Sequence, residues 1–207
     1  MRILVVCQYY KPEPFRVADI CEAMAAQGHI VTVVTGTPNY PEGEIYPGYE
    51  GTAHRDEVLG GVTVHRCPIH PRKRGALHRF WNYYSFVLAS KRYLSQMEED
   101  FDVVLVNQLS PVMMAEGALD WAKRHGRKTV LYCLDLWPES LSAGGVRPGS
   151  LIYRVFWHIS RRIYRQANAI AVTSQGFEDY FRTTLKLPDA KLVYLPQYAE
   201  ELFDRLP

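Results

Sequence analysis

Three loop segments carry residue types suited to binding a sugar or a phosphate. Gln8 to Pro14, with Arg16 just beyond, offers Tyr9, Tyr10, Glu13 and Arg16. Asn39-Tyr40-Pro41-Glu42-Gly43 and Tyr46-Pro47-Gly48-Tyr49 combine rings, an amide and a carboxylate with turn formers. Asp135-Leu136-Trp137-Pro138-Glu139 places an acid after an apolar run, followed by an indole and a second acid. Two readings fit each segment. The rings and charges pack and solvate, the prolines and glycines simply make turns, and Asp135 caps a helix. Alternatively, Tyr9, Glu13, Arg16, Asn39, Tyr40, Trp137 and Glu139 touch a substrate, and Asp135 accepts a hydrogen bond from its hydroxyl, the role of a general base.

These loops need a scaffold, and the hydrophobic periods supply one. Short β-branched runs at 3–7, 30–35, 62–67, 103–107, 129–134, 169–173 and 191–195 read as strands. Helical periods fall between most of them, at 15–27, 77–98, 112–125, 151–166 and 175–185. Gly28 and Gly126 follow two helices as C-caps, and Pro111 suits a helix start. This alternation predicts an α/β, Rossmann-like, mostly parallel sheet of about seven strands with helices on both faces. Two loops, 36–61 and the one after Asp135, are longer than such units require and begin at strand C-termini, where open α/β sheets bind ligands. The tail from Glu200 reads as the start of a linker.

Composition narrows the chemistry. The chain of 207 residues is 47% apolar, enough for one large core. No signal peptide or membrane-spanning run is evident. Cys7, Cys21, Cys67 and Cys133 lack C-x-x-C spacing and read as buried, reduced thiols. The seven histidines are scattered, so no metal site is expected. The Gln8–Pro14 loop has no glycine, which argues against dinucleotide binding, and neither a Walker loop nor a G-x-S-x-G elbow occurs.

The net charge of +2 conceals segregation. Residues 70–94 hold Arg72, Lys73, Arg74, Arg79, Lys91 and Arg92 with no acid, and residues 151–166 hold four arginines with no acid. The first stretch also carries Leu77, Phe80, Trp81, Tyr84 and Leu88 at helical spacing, with Tyr83, Phe86 and Tyr93 widening the apolar side. One reading is a core helix with a basic rim. The other is interfacial contact with an anionic membrane through Arg72, Lys73, Arg74, Arg79, Phe80 and Trp81. No nucleic-acid recognition motif accompanies the charge.

Together, Gln8-Tyr9-Tyr10, Pro12-Glu13-Pro14, Gly28-His29-x-Val31-Thr32-Val33, Thr35-Gly36-x-Pro38-Asn39-Tyr40-Pro41-Glu42-Gly43 and Asp135-Leu136-Trp137-Pro138-Glu139-Ser140 resemble the N-terminal half of family-four retaining glycosyltransferases. They are most similar to the bacterial branch that builds surface polysaccharides, such as the amino-sugar transferases of O-antigen and colanic acid synthesis. The resemblance implies one half of a two-domain GT-B fold: an acceptor-binding domain over residues 1–198, a linker over 199–207, and a donor-binding domain not present in the chain. It places Asp135 near the reacting sugar and puts Asn107 and Gln108 in the same cleft. It implies a nucleotide-sugar donor, a lipid-linked glycan acceptor, no metal or other cofactor, and a cytoplasmic, peripheral location at the inner face of the cell membrane. Many relatives carry glycines in the first loop, where this sequence has Pro12-Glu13-Pro14. The half-enzyme is expected to be inactive alone. Two other assignments compete: half of a nucleotide-sugar 2-epimerase, which shares the two-domain architecture but would lack the basic aromatic membrane face, and a stand-alone sugar- or nucleotide-binding module that works without a second domain.

Overall fold

A computed structural model describes residues 1–197. The linker expected over 199–207 lies outside the described residues. Eight strands form one sheet: β1 Arg2–Cys7, β2 Ile30–Gly36, β3 Asp56–Leu59, β4 Val62–Cys67, β5 Val103–Gln108, β6 Lys128–Cys133, β7 Ala169–Val172 and β8 Leu192–Tyr194. Their spatial order is β3-β4-β2-β1-β5-β6-β7-β8. Every pairing is parallel except β3 with β4.

Strand β1 shows why the sequence folds this way. Its Ile-Leu-Val-Val-Cys run is buried on both faces. Leu4 and Val6 join the larger core, while Ile3, Val5 and Cys7 join the smaller one. Helix α1 (Val17–Ala26) covers the smaller core. Helices α2 (Ala76–Gln96), α3 (Glu116–Arg124), α5 (Leu151–Gln166) and α6 (Gln175–Thr183) pack on the opposite face. Trp121, Tyr164, Phe86, Phe101 and Phe181 are the largest fully buried side chains of the larger core. Ser150 and Ser174 cap α5 and α6 by accepting the backbone N–H of Tyr153 and Phe177, both at 3.2 Å.

Three elements depart from the sequence expectation. The long loop after β2 contains β3, an antiparallel edge strand joined to β4 through Gly60 (φ 55°) and Gly61 (φ 80°). That pair of positive φ angles is the two-residue hairpin turn that glycine accepts without steric cost. The helix expected from Val112 begins instead as a 3-10 turn over Val112–Ala115 before α3 starts. A single short helix, α4 (Ser140–Ala143), lies in the loop after Asp135.

The order around β1 matters most for function. The chain leaves β1 toward β2 on one side and later returns to β5 on the other. The loops after β1 and β5 therefore part company, leaving a crevice outside the strand C-termini.

Candidate functional site

The crevice is lined by rim loops together with residues of α1, α2, β5 and β6. One compartment, about 280 Å³, is bounded by Tyr9, Phe15, Tyr40, Arg72, Tyr83 and Asp135 over a floor of Leu109, Ser110 and Leu134. A second, about 240 Å³, is bounded by Arg16, Val17, Ile20, Asn107 and Tyr132. Phe15, Leu109 and Leu134 line both, so the two are halves of one cleft.

The aromatic wall is tightly ordered. Tyr9 stacks on Phe15 with centroids 4.8 Å apart, and Phe15 meets Tyr40 edge-on at 5.1 Å. The Arg72 guanidinium lies 5.4 Å over the Tyr40 ring and 5.9 Å from that of Tyr83. This side of the cleft offers flat apolar faces, which suit a sugar ring, beside one cation, which suits a phosphate.

A buried polar knot holds that wall in place. Asn82, fully buried in α2, accepts from Gln8 Nε2 at 2.8 Å and from the Tyr9 hydroxyl at 3.2 Å. Its Nδ2 donates to the His70 carbonyl (2.7 Å) and to Asn39 Oδ1 (3.2 Å). Asn39 Oδ1 also accepts the Arg72 backbone N–H at 2.9 Å, and its Nδ2 donates to the Thr37 carbonyl. Glu13 accepts the N–H groups of Asn39 and Tyr40, both at 2.8 Å, and that of Tyr10 at 3.3 Å. Burial pushes its carboxyl up to about 7, against the pull of those three N–H groups and of Arg66.

Asp135 ends the cleft on the other side. Its two carboxylate oxygens accept the hydroxyls of Ser110 and Ser140. Trp137 Nε1 donates to the same Ser110 hydroxyl at 3.0 Å. Each Asp135 oxygen keeps acceptor capacity beyond its serine. Asp135 is not the helix cap that one reading of the sequence allows: the residue at the start of α4 is Glu139, whose side chain makes no cap bond.

The sequence-predicted residues thus divide. Tyr9, Arg16, Tyr40, Asn107 and Asp135 line the cleft. Glu13, Asn39, Gln108, Trp137 and Glu139, expected as substrate contacts, sit behind it as supports. Glu13 and Asn39 belong to the knot just described. Gln108 is fully buried, and its Nε2 donates to the Leu109 and Asp135 carbonyls. Trp137 is 6% exposed and stacks edge-on against Phe156. Glu139 accepts the Tyr153 hydroxyl at 2.6 Å. Arg72, expected at a membrane, is drawn into the cleft by its stacking on Tyr40. Phe15, Tyr83 and Ser110 were missed as lining, and Asn82 as a support. A lone amide within the Trp81–Tyr84 run was the available signal for Asn82.

The family of glycosyl transferase 4-like domains matches residues 15–197. This chain belongs to that family. It is 31% identical over 140 residues to a putative colanic acid biosynthesis glycosyl transferase, WcaI, of Escherichia coli (strain K12). That match covers 65% of this chain and 34% of the relative, so the chain spans about a third of that protein's length. The fold is shared with sucrose-phosphate synthase from Thermosynechococcus elongatus (TM-score 0.61, 15% identity, 96% of this chain and 90% of that one). It is shared also with Anabaena HepE bound to UDP and glucose (TM-score 0.53, 12% identity, 95% and 44%). What the chain shares with these neighbours is the fold, a mostly parallel sheet with helices on both faces.

In this glycosyl transferase 4-like domain, the basic helix has a second, outward face. Leu77, Phe80, Trp81 and Leu88 of α2 are 68%, 45%, 51% and 61% exposed, and Lys73, Arg74 and Arg79 are exposed around its start. On α5, Leu151, Ile152 and Val155 are also exposed, beside Arg154. Both helices start from the strand C-terminal side of the sheet and pack on the same core, so their apolar tips flank one rim. No helix among the described residues is long and apolar enough to cross a membrane. The four cysteines are free and buried, and burial pushes the thiols of Cys21, Cys67 and Cys133 up to about 12.

Proposed function

We propose that residues 1–198 form the acceptor-binding domain of a glycosyltransferase that extends a lipid-linked glycan in surface polysaccharide synthesis. A donor-binding domain following the linker closes the cleft and supplies most of the nucleotide-sugar site. The observation that carries this reading is the compartment between the Tyr9–Phe15–Tyr40 wall and Asp135, with Arg72 above it. Rings hold the acceptor sugar, and Arg72 meets the acceptor's diphosphate. Asp135, braced by Ser110 and Ser140, accepts a hydrogen bond from the attacking hydroxyl and aims its lone pair.

The reaction retains configuration. The acceptor oxygen bonds to the anomeric carbon on the face from which the nucleotide diphosphate departs with the electron pair of the broken carbon–oxygen bond, and Asp135 takes up the hydroxyl proton. Neither a metal nor another cofactor takes part. The exposed apolar tips of α2 and α5, ringed by Lys73, Arg74, Arg79 and Arg154, hold the protein peripherally at the inner, cytoplasmic face of the membrane. HepE, a structural neighbour, is recorded with UDP and glucose, which supports a nucleotide-sugar donor.

Binding of a short-chain prenyl-diphosphate disaccharide to the purified chain, followed by NMR, tests the acceptor reading. Shifts should map to Tyr40, Arg72 and Tyr83, and Arg72→Ala should weaken binding by about tenfold or more. Unchanged affinity in that variant would refute it.

A further inference from the structure

A second concavity, about 580 Å³, lies away from the cleft, at the β3–β4 edge of the sheet. It exists because α2 leaves β4 to cross toward β5, uncovering its own flank beside the edge hairpin. One side carries Arg55 and Arg66; α2 supplies Ser85, Leu88, Arg92 and Tyr93. Arg55 and Arg92 are exposed, and neither makes an ion pair among the described residues.

Arg66 is the informative member. It is 4% exposed. Its Nε and Nη2 donate to Glu57, and Nη2 also donates to the Lys11 carbonyl at 2.8 Å. The Tyr49 ring packs 5.0 Å from the guanidinium. Its Nη1 is buried and has no hydrogen-bond partner. A buried guanidinium N–H without an acceptor is rare and costly, and here it belongs to a residue lining a groove with two further unpaired guanidinia. Glu57 pairs with Arg66, so the groove's unpaired charge is that of Arg55 and Arg92, with Asp56 beside Tyr93 at its margin.

Apart from Ser85 and Gln96, the rest of the groove is apolar. Leu88 is 61% exposed, and Ala89 and Tyr93 are half-buried beside it. Leu88 also continues the row Leu77, Trp81, Tyr84 along one face of α2 at three- and four-residue spacing. The site thus joins a cationic end to an apolar floor that runs into the exposed helix tip.

We propose that this groove binds the headgroup of an anionic phospholipid. Arg55, Arg66 and Arg92 receive the phosphate, and the glycerol and first methylenes lie over Leu88, Ala89 and Tyr93. This rests on the peripheral membrane reading above and adds to it a defined lipid site, separate from the catalytic cleft.

Dihexanoylphosphatidylglycerol below its micellar concentration tests the site without a bilayer. Saturable binding to the purified chain, with shifts confined to the groove, is expected. Arg55→Glu with Arg92→Glu, both on exposed side chains, should weaken it by about tenfold or more. Dihexanoylphosphatidylcholine should bind at least about tenfold more weakly, because its cation opposes the arginines. Equal binding by the double variant, by the choline lipid or by inorganic phosphate would overturn the proposal, as would shifts centred on the cleft. Vesicle binding is scored separately with Lys73→Ala, Arg74→Ala and Arg79→Ala combined. Those residues lie outside the groove, so failure of the membrane reading leaves a different signature.

Discussion

Replacing Glu13 with glutamine should remove one segment of this protein's stability–pH curve. The Glu13 residue is 2% exposed, and its carboxyl is raised from 4.5 to about 7, chiefly by burial. Below about pH 4.5 the group is protonated in both folded and unfolded chains and contributes no pH dependence. Between about 4.5 and about 7 the unfolded chain has released the proton while the folded chain retains it. The folded state then binds more protons, so stability falls as pH rises, by about 1.4 kcal/mol per unit. The whole penalty, about 3 kcal/mol, is in place above about pH 7. Glutamine does not titrate. Its amide oxygen can still accept from Asn39 and Tyr40, while its NH₂ faces the Tyr10 N–H and lacks an acceptor there. The variant should therefore be less stable than the parent at low pH, and the gap should close by about 3 kcal/mol on going to about pH 8. Urea unfolding followed by tryptophan fluorescence at several pH values measures that gap. The other titrating groups are common to both proteins and cancel. A gap that stays constant within about 1 kcal/mol would refute the claim that burial outweighs the three N–H bonds.

Further outcomes follow from the same geometry. In the complete enzyme, Asp135→Asn should lower turnover by about a hundredfold while costing the fold under about 1.5 kcal/mol, because each serine hydroxyl can reorient; unchanged kcat with the acceptor would remove Asp135 from the chemistry. Lys73→Ala, Arg74→Ala and Arg79→Ala combined should weaken binding to anionic vesicles by about a hundredfold at low salt, at about 1 kcal/mol per charge, and added salt should weaken the parent toward the variant; co-sedimentation measures both. Gly43→Ala should destabilise the protein by about 1–3 kcal/mol, since the position has φ +83° and a Cβ there would lie 2.7 Å from the Lys73 backbone nitrogen; thermal unfolding checks it.

Much of the scaffold was legible because its signals are local. The apolar runs of β1, β2, β4, β5 and β6 need no partner to be recognised as strands, and Gly28 and Gly126 mark helix ends through positive φ. Strand β3 was not legible: four residues, two of them acidic, make no apolar run, and only the Gly60-Gly61 turn betrays the hairpin. The first turn after Pro111 reads as α-helix because 3-10 and α turns share their sequence preferences.

The site was half legible. A residue's position at a strand C-terminus is a sequence property, so Tyr9, Tyr40, Asn107 and Asp135 could be placed on the rim. Whether a polar side chain faces the cleft or turns inward is not, since it depends on which distant backbone N–H groups lack acceptors. Glu13 is drawn inward by the amides of Asn39 and Tyr40, and Asn39 by Asn82 and the Arg72 N–H. Sequence alone determined the class of fold, the rim that carries the chemistry, the segregated charge and the family. Tertiary structure decided which carboxylate remains available, that Arg72 stacks over Tyr40 rather than facing outward with its neighbours, and that three arginines distant in sequence meet beside Leu88. Hydrophobic periods are written locally along the chain, whereas hydrogen-bond satisfaction and charge clustering arise only when remote segments are brought into contact.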